Sequence, residues 1–445
     1  MNDPALALAL GAGSGLLSLA SLRLPILGWL AFAPLGVAVC QSPPAWAALA
    51  GAIAGALANS REIADRSMRV FGFLAAIISA AAWAAGFGLA AWIAPSEPVW
   101  LVLAVPLTVV LVHLPLRLVG APGWHSNPIG QAQARFLTVV HTARIGGDLT
   151  PTALLAVSGA AIAMFLVDPA PSVAKVLVAG ACALAIAGML VFGRRSLDAA
   201  VRRLQMTRTV RVAAVVANGP RPKGVVNGTW PIESPDYRDV EATLERYRPH
   251  VIAAAARGAE VVLLPEVCVI VDRNSRQRFV DAVASWARAK RVVLVAPFFD
   301  ASIPKNELVV VDSSGSVVAR YEKQHPVAHL EGKREARMPP GPIPVTTGDR
   351  RISLSTVICV DLDYGDLVAP VRRAGGILLA PSNDWPVFDE LHHRSAVWPA
   401  VATGVSVVRA TGWGVSAAYD GAGRLLARAS SHDGPVVLTV DVPVA

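Results

Sequence analysis

Three short stretches each set one reactive side chain at the end of an apolar run. Glu266 closes "VVLLPE", Lys323 follows the strand-like run in "ARYEK", and Cys359 closes "STVIC". A carboxylate, an ammonium and a thiol gathered in one cleft suit acyl transfer through a covalent thioester. Glu266 would take the thiol proton and later activate the second nucleophile. Lys323 would lower the thiol pKa and stabilise the tetrahedral oxyanion. Cys359 would attack the carbonyl carbon. In "STVICVDLDYGDL" the thiol meets Asp361, Asp363 and Asp366 where the chain turns. A helix opening just beyond Cys359 would add its first N–H groups to an oxyanion hole. Each residue alone has a plainer reading. A cysteine at a strand end is usually a small buried hydrophobe, a glutamate after proline a cap or surface charge, and a lysine after a hairpin a solvated one. The weight lies in the three together, in these settings.

The elements that must carry them read as an α/β layered domain with a mixed sheet. "VRVAAVVAN" is a short buried strand, and Asp239–Arg257 has apolar positions at helical spacing. "AEVVLLPE" is a strand ending at Pro-Glu, "DAVASWARAK" a helix, and "RVVLVAPFFD" a strand. "NELVVVDSSGSVVARYEK" is a hairpin with a Ser-Gly turn. "ISLSTVICVD" and "GGILLAPSNDW" are strands, and "VSVVRATGWGVSAAYDGAGRLLAR" is two strands and a turn.

The rest of the 445-residue chain is of another kind. Hydrophobic residues make up 54% and charged ones 16%, and mean hydropathy is +0.50. Residues 1–193 carry few charges; nearly all lie beyond Arg194. That is a membrane half followed by a soluble half. Apolar segments near 5–21, 26–40, 45–58, 70–94, 99–119, 151–167 and 173–193 predict about seven spans, the second and third short and rich in Ala and Gly. "MNDPALALAL" lacks a basic leader region, so the first stretch reads as a retained helix. The net charge of +8 fits lipid headgroups better than nucleic acid, since no zinc-like Cys pair, basic helix or aromatic-studded basic sheet is present. Cys40 and Cys182 lie in apolar spans, and a Cys268–Cys359 bridge would consume the thiol of interest. No side chains cluster at metal-ligand spacing, so neither metal nor other cofactor is expected. A polar stretch between the fifth and sixth spans holds Trp124, His125, Asn127, Gln131 and Gln133, and its indole and amides suit headgroups or a partner, or a solvated loop.

The soluble half resembles the nitrilase (carbon–nitrogen hydrolase) superfamily, whose triad is Glu, Lys and Cys in this order. The whole chain is similar to the apolipoprotein N-acyltransferase family. "LRLPILGWLAFAPL", "GWHSNPIGQAQ", "LLPE", "YEKQHPVAHLE", "ICVD", "SNDW" and "VVRATGWGVSA" carry the likeness along the chain. It implies a transmembrane helical domain over 1–195 and a nitrilase-like αββα sandwich over 209–445. It also implies Glu331 as an accessory active-site glutamate, and Asn383 and Trp385 as substrate-binding residues of the cleft. The implied enzyme is a multi-pass protein of the bacterial inner membrane, monomeric, with its catalytic domain on the outer face. A phospholipid would be the acyl donor and a diacylated lipoprotein the acceptor. "NDWPVFDE" and "PKGVVNGTWPIE" would be mobile apolar arms.

The chain departs from the family at several points. The family's Cys-Tyr-Glu is Cys359-Val360-Asp361 here, and its Arg and Glu before "RAT" align with Pro399 and Ala402. "VVANGPRP" replaces a glutamine-bearing first strand, the third span lacks an aromatic pair, and the last membrane helix of the family has no counterpart after "VDVPVA". The arginines at 61, 66, 69, 117, 135, 144, 194 and 195 fall on one side of a seven-span arrangement. Taken alone they place the soluble half in the cytoplasm, against the orientation the resemblance implies. Two other readings stay open: a membrane-tethered amidase acting on small amides or carbamoyl compounds, and a non-catalytic binding module.

Overall fold

The computed structural model describes residues 3–64, 69–93, 97–118, 128–217, 235–326, 331, 338–347, 349–384 and 389–444. The chain divides into two compact units, Met1–Asp198 and Ala199–Ala445.

The first unit is helical. Among the described residues four helices are long and apolar enough to cross a bilayer: Pro4–Ser21, Gly72–Ile93, Leu149–Val167 and Val173–Gln205. Three further apolar stretches, Pro25–Gln41, Pro44–Ala58 and Pro98–His113, are shorter. The sequence predicted about seven spans of this kind; the four above meet the length. Pro25 and Pro98 each open a 3₁₀ turn ahead of the helix that follows. Small residues bring the helices close. A Cβ on Gly51 would stand 2.6 Å from the Trp83 carbonyl oxygen, and one on Gly55 2.7 Å from that of Ser79. Trp83 packs on Phe32 and Phe87 with ring centroids 6.0 and 5.8 Å apart. Beside it Asn59 Nδ2 donates to Ser79 Oγ at 2.9 Å, which satisfies two polar groups where water is scarce. Of the polar stretch singled out above, Trp124, His125 and Asn127 lie outside the described residues. Gln133 is buried, and its Nε2 donates to the Pro25 carbonyl at 2.9 Å. It therefore ties two segments together rather than facing headgroups.

The second unit holds two sheets. The first has the order β13-β1-β2-β4-β5-β6, with β3 beside β4. Its strands are β1 (Thr209–Val216), β2 (Val261–Leu263), β3 (Ile270–Val271), β4 (Val293–Asp300), β5 (Lys305–Val311), β6 (Val317–Glu322) and β13 (Val436–Pro443). The second has the order β12-β11-β10-β9-β8-β7. It is built from β7 (Ile343–Thr347), β8 (Arg350–Thr356), β9 (Ile377–Asn383), β10 (Ser406–Gly412), β11 (Val415–Tyr419) and β12 (Leu425–Ser430). The stretch "VSVVRATGWGVSAAYDGAGRLLAR", predicted as two strands and a turn, makes three strands. Trp413 and Gly414 turn the first pair, and Asp420 turns the second by accepting from Ala422 N and Arg424 N at 2.9 Å.

Period-two alternation sorts the side chains. Val212, Ala214 and Val216 face a core shared with Leu354, Leu379, Val408 and Ala410 of the second sheet. Ala213, Val215 and Ala217 face Val251, Phe279 and Val283 instead, on helices Val240–Ala256 and Arg276–Lys290. Helices 389–395 and 397–403 follow β9 on the other sheet. The result is a helix–sheet–sheet–helix sandwich, which places strand ends from both sheets at one edge.

Candidate active site

Glu266 sits just past β2. Pro265 has no N–H for the ladder, so the strand stops short of it. The carboxylate is fully buried. The next residue, Val267, has φ +48, a costly conformation for a β-branched side chain. Tyr237, Ile270, Phe299 and Trp413 pack around it, and that packing holds the bend that turns Glu266 inward. Lys323 follows β6, with its backbone N–H donating to the Asn306 carbonyl at 2.9 Å. Cys359 follows β8 and opens a 3₁₀ turn, Cys359–Asp363, at φ +52. A left-handed non-glycine residue costs about 1–2 kcal/mol, so the neighbouring contacts must over-determine this turn. The turn has five residues, so the helix N-terminus anticipated for an oxyanion hole is reduced to a single 3₁₀ turn.

The predicted residues meet. Lys323 Nζ donates to Glu266 Oε1 at 2.8 Å and to Glu331 Oε1 at 3.1 Å. Asn306 Nδ2 donates to the same two oxygens, at 2.8 and 2.7 Å. One ammonium and one amide thus bridge two buried carboxylates. Asn383 joins the other side. Its backbone N–H donates to Glu266 Oε2 at 3.0 Å, its Nδ2 to the Glu266 carbonyl at 2.8 Å, and its carbonyl receives Cys359 Sγ at 3.7 Å. Trp385 and the whole of 222–233 lie outside the described residues, as do 385–388 of the other expected arm.

Charge sets the resting state. Burial works against the Lys323 ammonium, yet Glu266 and Glu331, with Cys359, outweigh it and hold its pKa well above the ordinary lysine value. Burial and the Glu266 carboxylate push the Cys359 thiol well above the ordinary cysteine value; Lys323 pulls the other way and loses. The lowered thiol pKa expected from Lys323 is therefore not what this site provides. The lysine's charge is already engaged by two carboxylates. Cys359 rests as a neutral thiol, and to act as a nucleophile it would have to lose its proton to a base as it attacks.

None of the four cysteines forms a disulfide. Cys268 is buried, and its Sγ donates to the Pro297 carbonyl at 2.8 Å, so no bridge consumes Cys359. Among the described residues no group of three or more His, Cys, Asp or Glu side chains is placed to hold a metal ion.

Two residues of the site were not singled out as such from the sequence. Asn306 lies two positions before Leu308, whose side chain faces the core between the sheets. Alternation puts Asn306 on the same inner face, where an amide must find partners; that signal was available. Asp361 stood out in the sequence only as one acid of the turn after Cys359 and as a departure from the family pattern. Its Oδ2 accepts from Tyr321 Oη and Gln324 N, each at 2.9 Å. Its Oδ1 accepts from His325 N at 2.7 Å and faces His325 Nδ1 at 3.1 Å. The carboxylate two residues past Cys359 thereby fastens the chain immediately after Lys323.

Residues 212–445, just over half of the chain, match the carbon-nitrogen hydrolase family. The chain belongs to that family. Its members are enzymes of the nitrilase superfamily. No curated protein matches the chain. Among solved structures it is similar to the amidase from Nesterenkonia sp. AN1, in a mutant form with the acetamide moiety of fluoroacetamide added covalently at the active-site cysteine. That likeness has 19% identity and a TM-score of 0.44, over 54% of this chain and 92% of that one. A crystal structure of an amidase from Nesterenkonia sp. is 21% identical with a TM-score of 0.42, over 53% and 90% of the two chains.

Proposed function

We propose that this carbon-nitrogen hydrolase is a membrane N-acyltransferase. It would move a fatty acyl group from a phospholipid, through a Cys359 thioester, to the α-amine of a diacylglyceryl-cysteine at a lipoprotein N-terminus. The observation that carries the reading is the joining, in one chain, of a thiol–carboxylate–ammonium site to helices apolar enough to cross a bilayer. Both substrates of such a reaction live in the membrane.

Glu266 accepts the thiol proton as Sγ attacks the ester carbonyl of the phospholipid. Lys323 donates to the oxyanion that forms. Collapse breaks the ester C–O bond, and the proton on Glu266 leaves with the lysophospholipid hydroxyl. The lipoprotein amine then attacks the thioester, Glu266 takes its proton, and the thiol returns as the amide forms. Glu331 and Asn306 hold Glu266 and Lys323 in register throughout. In this reading residues 1–195 form about seven spans and 209–445 the catalytic domain, on the outer face of a bacterial inner membrane. The protein acts as a monomer without metal or cofactor.

The second reading is an amidase, with water in place of the amine. Membership of the carbon-nitrogen hydrolase family and the altered cleft positions Asp361, Pro399 and Ala402 favour it. A substrate panel separates the two. Turnover that needs phospholipid and a diacylated lipopeptide, and that is lost in Cys359→Ala, is expected. Turnover of small amides without lipid would replace the acyltransferase reading with the hydrolase.

A further inference from the structure

Behind the cleft, on the face of the second sheet turned away from the shared core, lies a buried charged cluster. Val408 and Ala410 of β10 face the core, so Arg409 between them faces outward, toward helix Asp389–Ser395. Arg409 is fully buried, and Asp384 and His392 nearly so. Arg409 Nη2 donates to Asp384 Oδ1 at 3.1 Å, and Nη1 donates to the His392 carbonyl. His392 Nδ1 lies 2.5 Å from Asp384 Oδ1, and its Nε2 lies 3.4 Å from Asp363 Oδ2.

The two aspartates come from the two segments that place the nucleophile. Asp363 ends the 3₁₀ turn that Cys359 opens. Asp384 directly follows Asn383, which receives the Cys359 thiol and donates to Glu266. We propose that His392 is a positioning residue for Cys359, an imidazolium clamp that closes the ring from the nucleophile's turn through Asp363 and Asp384 back to Asn383. The inference rests on the reading of Cys359 as the nucleophile.

The chemistry of the ring supports the clamp. Nδ1 meets Asp384 with Arg409 Nη2 also 3.1 Å away, Nε2 lies at ion-pair distance from Asp363, and only the protonated ring can donate toward both carboxylates. Among the described residues, the two carboxylates and the guanidinium leave one negative charge, which an imidazolium cancels in a dry site. Among the described residues, the charged groups facing the ring are Asp363 from the nucleophile turn, Asp384 from the end of β9 and Arg409 from β10. Burial and Arg409 oppose its charge; the two aspartates prevail and hold its pKa above the ordinary histidine value. His393, next along the helix, turns to the Tyr419 hydroxyl at 2.9 Å instead. A neutral His392 would release one aspartate and slacken a turn that holds Cys359 at a positive φ.

The test is the rate of Cys359 alkylation by iodoacetamide, measured by peptide mass on the detergent-solubilised full chain from pH 6 to 9, beside kcat and KM. In the parent protein a break in the pH profile is expected where His392 loses its proton. His392→Phe is expected to slow alkylation at least tenfold, to lower kcat with KM within twofold, and to lose that break. Asp363→Asn, a milder change, removes one of the charges that favour the imidazolium and is expected to move the break to lower pH. Parent-like alkylation in His392→Phe, or an unmoved break in Asp363→Asn, would overturn the clamp. A parent protein unlabelled at Cys359 would overturn the nucleophile assignment itself, and the clamp with it.

Discussion

Asp361→Asn is a change of one atom that separates a structural ornament from a working part. The Asp361 carboxylate takes four contacts: Tyr321 Oη and Gln324 N on one oxygen, His325 N and His325 Nδ1 on the other. An asparagine can keep only one oxygen. If its NH₂ faces Tyr321 and Gln324, the hydroxyl can rotate to accept, but Gln324 N–H is stranded. If it faces His325, the ring can change tautomer, but His325 N–H is stranded. Either way one backbone donor loses its acceptor, at about 1–3 kcal/mol. The surviving bonds also lose their charge, which roughly halves their strength. The sum is about 2–4 kcal/mol. For a unit of this size, Ala199–Ala445, that lowers the melting temperature by roughly 4–16 °C. Gln324 and His325 directly follow Lys323, so the ammonium loses its setting, and a displacement on the order of 1 Å can cost about 100-fold in rate. Differential scanning fluorimetry in detergent reads the first effect, and turnover or Cys359 alkylation the second, expected to fall about 10–100-fold. An Asp361→Asn protein that melts within 1 °C of the parent and keeps its rate would refute the reasoning.

Three further outcomes follow from the same geometry. Lys323→Met removes the cation that bridges two buried carboxylates and should cost about 3–5 kcal/mol; adding Glu266→Gln should recover part of that loss, and a double variant no more stable than the single one contradicts the pairing. Asn306→Leu strips a shared donor from Glu266 and Glu331 and should cost about 1–3 kcal/mol and lower Cys359 alkylation at least tenfold; unchanged alkylation would make Asn306 a bystander. Burial, with Arg409 and Arg394 adding to it, pushes His393 down to about 4 from 6.5 against the pull of Glu390. The unfolded chain therefore binds a proton in that window that the folded chain refuses. The stability from His393 is present above pH 6.5 and lost as pH falls toward 4, on the order of 2–3 kcal/mol. His393→Gln should flatten the melting temperature between those pH values; an unchanged slope refutes the assignment.

Much of the second unit was legible because strands such as β2, β4 and β9 are buried on both faces. Runs such as "VVLLPE" and "RVVLVAPFFD" leave little choice of element, and their ends fix where Glu266, Lys323 and Cys359 emerge. Glu331 and Asn383 came from a family resemblance, and no spacing rule would have found them. What sequence alone hid was partnership. Asp361 reads as one carboxylate of several in "VDLDYGD" until the fold shows which backbone it holds. The sign of the Cys359 pKa shift was also hidden, because it depends on burial and the facing Glu266 carboxylate outweighing Lys323. In the helical half, composition marked the apolar stretches, and four of them form helices long enough to span among the described residues. Gln133 looked like a surface amide because burial of a lone polar residue leaves no periodic trace.

The most direct measurement of the central claim is the intact mass of the purified protein after mixing with phospholipid. A fatty-acyl increment located on Cys359, absent in Cys359→Ala and discharged by a diacylated lipopeptide, is the expected result. No increment from phospholipid, in a protein whose Cys359 is labelled by a small amide or nitrile electrophile, would contradict it and leave a hydrolase.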